Sequence, residues 1–129
     1  VVPTFVKAAL LDHPITVYGD GNQSRCFTYV ADTLDAMLLL TSNDNAYGNI
    51  YNIGNTEEIT IKELAVLIRK MTQSNSKIEY IPFETAFGEN FEEMIIRKPD
   101  ITKIKNAVGF DPKVTLKEAL ENVIQFYKK

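Results

Sequence analysis

Cysteine and histidine each occur once in this chain, at Cys26 and His13, and tryptophan does not occur at all. A single thiol cannot close an intramolecular disulfide, so a fold stapled in the manner of small secreted domains is excluded. One His and one Cys are also too few for a zinc site. Catalysis of the Ser-His-Asp or Cys-His kind would have to recruit His13, which lies between Asp12 and Pro14 at a helix-to-strand corner and reads as a loop residue. No apolar run approaches the roughly 20 residues that span a bilayer. The expectation is therefore no membrane partner and, with the lone thiol, a reducing cytoplasmic setting. Positive charge is in deficit: 14 Lys and Arg against 17 Asp and Glu leave a net charge of −3, which gives no basic field for nucleic acid or anionic membrane. Any anion has to be met by a few focused residues. Glycine is scarce as well. The six glycines, at 19, 21, 48, 54, 88 and 109, never take the G-x-G-x-x-G spacing that brings backbone N–H groups to a pyrophosphate.

What is present is the make-up of a globular domain. The chain has 129 residues, 45% of them hydrophobic and 24% charged, enough for one core and ordinary for a mixed α/β or an α+β class with helices and short strands. Its start, "VVPTFVKAALL", has no initiator Met, basic region or cleavage site and reads as a cut inside a longer chain. Val2, Phe5, Val6, Ala9 and Leu10 keep helical period over residues 3–12, with Pro3 tolerated in the first turn. "ITVY" (15–18) and "CFTYV" (26–30) read as strands about a Gly19-Asp20-Gly21 turn, and a helix follows from residue 31 or 32 to about 41. "IYNIG" (50–54) and "KIEYIP" (77–82) read as further strands. Thr60 with Glu63, and Thr115 with Glu118, have the spacing of capping boxes for two amphipathic helices. Asp32 and Asp100 are placed to cap their own helices, the second ending at Gly109, and the stretch before Arg97 reads as loop with short helical turns. Phe5, Phe27 and Tyr29 are expected in the core, Cys26 as a small buried hydrophobe and Gln23 as a turn residue.

Few residues carry chemistry. Glu89, Glu92 and Glu93 have the type of general acids but read more simply as a solvated acidic loop, and Asn22-Gln23-Ser24 has the pattern of a glycosylation acceptor. Arg25 and Arg97 stand apart, each beside a turn signal. A guanidinium presents a planar fork of donors suited to phosphate, so two of them can clamp a diphosphate. The alternative is an ordinary ion pair: Asp20 or Asp32 for Arg25, Asp100 or Glu93 for Arg97.

Three ordered blocks, "PITVYGDGNQSRCFTYVAD", "YNIGNTEEITIKELA" and "IRKPDITKIKNAVGFDPKVTLKEAL", resemble the C-terminal part of the extended short-chain dehydrogenase/reductases, over residues 1 to about 126. These are NAD-dependent nucleotide-sugar epimerases, dehydratases and decarboxylases. The resemblance implies the small substrate-binding domain of such an enzyme, with its Rossmann half absent. It implies diphosphate contacts from Arg25 and Arg97, a strand with Val17 and Tyr18 against the nucleotide base, and a substrate that is a UDP-sugar or a dTDP-sugar. Asn52 would lie on a strand near the substrate pocket, belonging to the cofactor domain's sheet, or would simply satisfy a strand-to-loop backbone group. Bound NAD belongs to the N-terminal half of the full-length enzyme, which is expected to be a homodimer. Ile96 is a departure, standing where relatives often carry a second arginine. None of the tyrosines at 18, 29, 47, 51, 80 and 127 has a Lys four residues on, so the family's Tyr-x-x-x-Lys is missing. A rival reading keeps the domain as a non-catalytic nucleotide-binding or interaction module. Either way, the purified 129-residue chain is expected to show no epimerase, dehydratase or decarboxylase turnover with NAD and a UDP-sugar; product above a no-protein control would place catalytic groups within it.

Overall fold

In a computed structural model of the chain, residues 1–88 and 93–129 are described, and they divide into two compact units. The first comprises Val1–Arg25, Ile59–Arg97 and Leu120–Lys129. It opens with α1 (Val2–Leu10), which has proline in its first turn and buries Phe5, Val6 and Ala9. Asp12, in the left-handed region at φ 52°, turns the chain toward β1 (Ile15–Tyr18). The carboxylate of Asp12 accepts hydrogen bonds from the Ser74 hydroxyl at 2.7 Å and the Asn75 amide at 2.8 Å, which fasten this corner. Strand β2 (Ser24–Cys26) follows the glycine turn, three residues where "CFTYV" suggests five starting at Cys26. Its extent is set by its hydrogen-bonding neighbours, not by the aromatic content after it; Phe27 and Tyr29 lie beyond it and are half-buried, whereas Phe5 is buried as expected.

In the second unit, Cys26–Glu58 and Lys98–Ala119, α2 (Val30–Thr41) begins one or two residues earlier than its sequence suggests. That shift changes the part played by Asp32. It lies inside the first turn, 3% exposed, and accepts from the backbone amides of Lys113 (3.2 Å) and Val114 (3.1 Å) instead of capping its own helix. Ala36 of α2, Ile104 and Phe110 form the unit's core, with Leu40, Tyr51 and Ile53 packed against it. The segment 50–54 belongs to no strand among the described residues, because no neighbouring edge pairs with it; Ile50 is 87% exposed. Gly54 is needed there, since a Cβ would stand 2.8 Å from Pro99 Cγ.

Strand β3 (Glu58–Thr60) leads into α3 (Ile61–Thr72), whose capping box is formed as the spacing predicts. β4 (Ile78–Ile81) runs parallel to β1 in the register Ile15↔Ile78 to Tyr18↔Ile81. Helices α1 and α3 pack on β1 and on each other, so Val6, Ile15, Val17, Leu64 and Ile68 are fully enclosed. The irregular stretch that follows yields α4 (Phe83–Phe87) and the two-residue β5 (Ile96–Arg97), while Glu89 and Glu92 lie outside the described residues. The second sheet has the order β3-β2-β5. Helix α5 (Thr102–Val108) ends at Gly109, φ 70°, as expected; the Asp100 carboxylate accepts from Thr102 N at 2.9 Å, satisfying one terminal donor from just outside the cap position. Helix α6 (Leu116–Tyr127) starts with the Thr115 and Glu118 box and ends with Lys7 of α1 4.9 Å from the Tyr127 ring centre.

Two outcomes test this anatomy. Asp32→Ala removes a buried anion from two part-buried amides and should cost about 1–3 kcal/mol, a fall of roughly 5–10 °C in Tm by calorimetry. Hydrogen bonds to Ser74, Thr60, Thr102 and Thr115 hold the carboxyls of Asp12, Glu63, Asp100 and Glu118 below the usual carboxylate range. Folded-state values below the unfolded ones mean stabilisation that is complete near neutrality and lost as pH falls through the folded-state values. Tm should therefore drop between about pH 5 and pH 3, and a flat profile there would contradict these contacts.

Candidate functional site

The site is built on the turn between β1 and β2. Gly19 and Gly21 have φ of +69° and +74°, open to glycine and costly to other residues. A Cβ on Gly21 would stand 2.9 Å from Val17 Cγ1 and 3.0 Å from Lys62 Cβ, and one on Gly19 would run into the Phe83 ring. Between them, Asp20 accepts from the amide N–H (2.9 Å) and side-chain Nδ2 (2.8 Å) of Asn22, and these bonds hold its carboxyl below the usual range. Asp20 is thus an Asx-turn acceptor. The loop is also bolted to α3, because Ile61 and Lys62 donate their amides to the carbonyls of Gln23 and Gly21, each at 3.0 Å. Gln23 is a turn residue, as expected, but a buried one: its Nε2 donates to the Tyr18 carbonyl at 3.0 Å, and its Oε1 has no partner among the described residues.

This scaffold delivers Arg25 in β2. Its Nη1 donates to the carbonyls of Ser24 (2.6 Å) and Met94 (2.8 Å), and its Nη2 forms an ion pair with Glu93. Neither aspartate considered as its partner is used: Asp20 holds Asn22 and Asp32 holds two amides. Strand β5 pairs parallel to β2 in the register Ser24↔Ile96 and Arg25↔Arg97. Paired positions on neighbouring strands share a face, about 4.8 Å apart. The two arginines therefore stand side by side. Arg97 is exposed and, among the described residues, has no ion pair, since Glu93 serves Arg25 and the Asp100 carboxylate holds Thr102. Among the described residues, these two adjacent guanidinium groups share one carboxylate ion pair, that of Arg25 with Glu93.

Tyr18, at the end of β1, is 41% exposed, and its ring meets that of Phe87 edge-on at 5.1 Å between centres. Val17, by contrast, is fully enclosed in the core, so only its backbone could face a ligand. Asn52 lies in the other unit, exposed, with Nδ2 donating to the Asp100 carbonyl at 3.2 Å, the backbone-satisfying role considered for it. Cys26 is half-buried, less than expected, and burial with the nearby Glu58 charge pushes its thiol up, which disfavours thiolate chemistry. His13 is exposed in its loop. Among the described residues, no group of three or more His, Cys, Asp or Glu could hold a metal, and no helix is long and apolar enough to cross a membrane. The glycine turn joins strand to strand and its inner side is filled by Val17 and Lys62, so it forms no cradle for a dinucleotide. Sequence reasoning missed Glu93 as the partner of Arg25, which lies 68 residues away. No local signal marks that pair, because β5 is only two residues long.

Residues 1–123 match the model of the GDP-mannose 4,6 dehydratase family. The chain belongs to this family, and so to the extended short-chain dehydrogenase/reductases of nucleotide-sugar epimerase and dehydratase type. It is 42% identical over 129 residues to a UDP-N-acetyl-alpha-D-glucosaminuronate decarboxylase of Bacillus cytotoxicus, covering 100% of this chain and 40% of that protein. Among solved structures, the UDP-glucose 4-epimerase of Thermotoga maritima with UDP-glucose is similar, with 26% identity and a TM-score of 0.87 over 98% of this chain and 38% of that one. The UDP-glucuronic acid 4-epimerase of Bacillus cereus, in complex with UDP-glucuronic acid and NAD, gives 25% identity and a TM-score of 0.85 over 97% of this chain and 38% of that one. The chain thus spans about two-fifths of the length of each of these relatives.

Proposed function

We propose that the chain is the substrate-binding part of an NAD-dependent nucleotide-sugar epimerase, dehydratase or decarboxylase, and that it holds the nucleotide-diphosphate portion of a UDP-sugar. Arg25 and Arg97 take the diphosphate, and the exposed ring of Tyr18 borders the base. The observation that carries this reading is the parallel register Arg25↔Arg97. Like charges on adjacent strand positions repel, and a dianion between them turns that cost into binding energy. UDP is preferred to dTDP because the similar proteins above are named for UDP-sugars. NAD would be held by a part of the enzyme other than these residues, and the reaction at the sugar would be completed there.

The Arg25–Glu93 pair favours a different reading, in which Arg25 only ties β2 to the chain before β5. Calorimetric titration with UDP, alongside thermal melts, separates the two. Each arginine-to-phosphate contact contributes about 1.5–3 kcal/mol, so Arg25→Ala or Arg97→Ala should weaken UDP binding roughly ten- to 150-fold. Lysine at either position should rescue poorly, since it keeps the charge and loses the fork. Lower Tm with unchanged UDP affinity in both alanine variants would leave the structural reading alone standing.

A further inference from the structure

The contacts of Arg25 divide its guanidinium into two parts. Nη1 is held by main-chain carbonyls, Ser24 at 2.6 Å on its own strand and Met94 at 2.8 Å on the chain entering β5. These acceptors belong to backbone fixed by the β2–β5 ladder and by the Ser24 amide, which donates to Ile95 O at 2.8 Å. Nη2 is engaged by the Glu93 carboxylate, and both side chains are largely enclosed, at 21% and 24% exposure. The carbonyls hold one end of the fork independently of Glu93. Glu93 adds charge neutralisation on the edge that the carbonyls leave open, and the exposed Arg97 stands beside it with no carboxylate partner among the described residues.

From this division we infer that Glu93 is a built-in counter-anion, a carboxylate that occupies the ligand-facing edge of Arg25 and that an incoming diphosphate must displace. Glu93 therefore lowers affinity for the diphosphate and is not needed to place the arginine. The inference rests on the reading of Arg25 and Arg97 as a diphosphate clamp. One carboxylate meets one arginine, whereas a diphosphate carries more charge and reaches both forks, so exchange favours the ligand while Glu93 sets how tightly it is held. The masked charge also spares the empty site a bare pair of adjacent cations.

Glu93→Gln in the 129-residue chain should tighten binding of UDP and of inorganic pyrophosphate about three- to tenfold, the range of a half-buried ion pair, and leave uridine unchanged. Glu93→Ser should move affinity in the same direction, and the gain from either variant should vanish when combined with Arg25→Ala. Weaker or unchanged UDP binding in both Glu93 variants, with Arg25→Ala still damaging, would overturn the counter-anion and leave the clamp intact. Arg25→Ala without effect on UDP, or no UDP binding by any variant including the native chain, would overturn the clamp and the counter-anion together. Thermal melts of each variant show whether a loss of affinity is a loss of fold.

Discussion

Two residues of parallel pairing, Ser24 with Ile96 and Arg25 with Arg97, hold the candidate site in place. They join segments far apart in sequence, and they set two guanidinium groups at neighbouring positions on one face. The rest of the first unit serves this pairing. The Gly19–Gly21 turn delivers β2 at a fixed angle because its inner side is filled by Val17 and Lys62. The carbonyls of Gly21 and Gln23 accept from the first turn of α3, which fastens the loop to that helix. A ladder this short would be marginal alone. Here it gains from the Arg25 contacts to Met94 and Glu93, which cross the same seam.

Where structure follows local chemistry, the sequence was readable. The boxes at Thr60 and Thr115, the glycine end of α5, strand β1 and the periodicity of α1, α3 and α6 all appear as their residues suggest. Each of these signals lies within a few residues of the feature it announces. Failures begin where a distant partner decides. "CFTYV" has strand composition, yet β2 starts earlier because β5 and β3 define its length. "IYNIG" has the same composition but forms no strand among the described residues, and the sheet expected to pair with it is that of the cofactor domain, outside these residues. Asp32 has the type of a cap, but its helix starts ahead of it and two amides from residues 113 and 114 claim the carboxylate.

The candidate site divides along the same line. Arg25 and Arg97 were identifiable as unusual arginines beside turns, and the family resemblance, supported by the match over residues 1–123, suggested their common task. Their adjacency was not legible, since it depends on a two-residue strand with no periodicity to detect. Nor was the choice of Glu93 for Arg25 over Asp20, the nearer acid in sequence. Asp20 is already committed to Asn22, a competition that only the folded turn reveals. Val17 and Tyr18 show a further limit: neighbours on one strand, they face opposite ways, one enclosed and one exposed.

The four leading amides of α3 have a consequence for how the site meets its surroundings. Thr60 N donates to Glu63, Ile61 N to Gln23 O, Lys62 N to Gly21 O and Glu63 N to Thr60 Oγ1, so all four are spent within the protein. Many phosphate sites use such amides as a neutral cradle that dissolved ions disturb little. Here any anion at the turn would have to be met by side-chain cations, Arg25 held by main-chain carbonyls and Arg97 openly exposed. Charges of that kind are screened over about 8–10 Å at physiological ionic strength. If this surface takes an anion as proposed, its grip would be tied to the salt around it, in a way that a backbone cradle would not be.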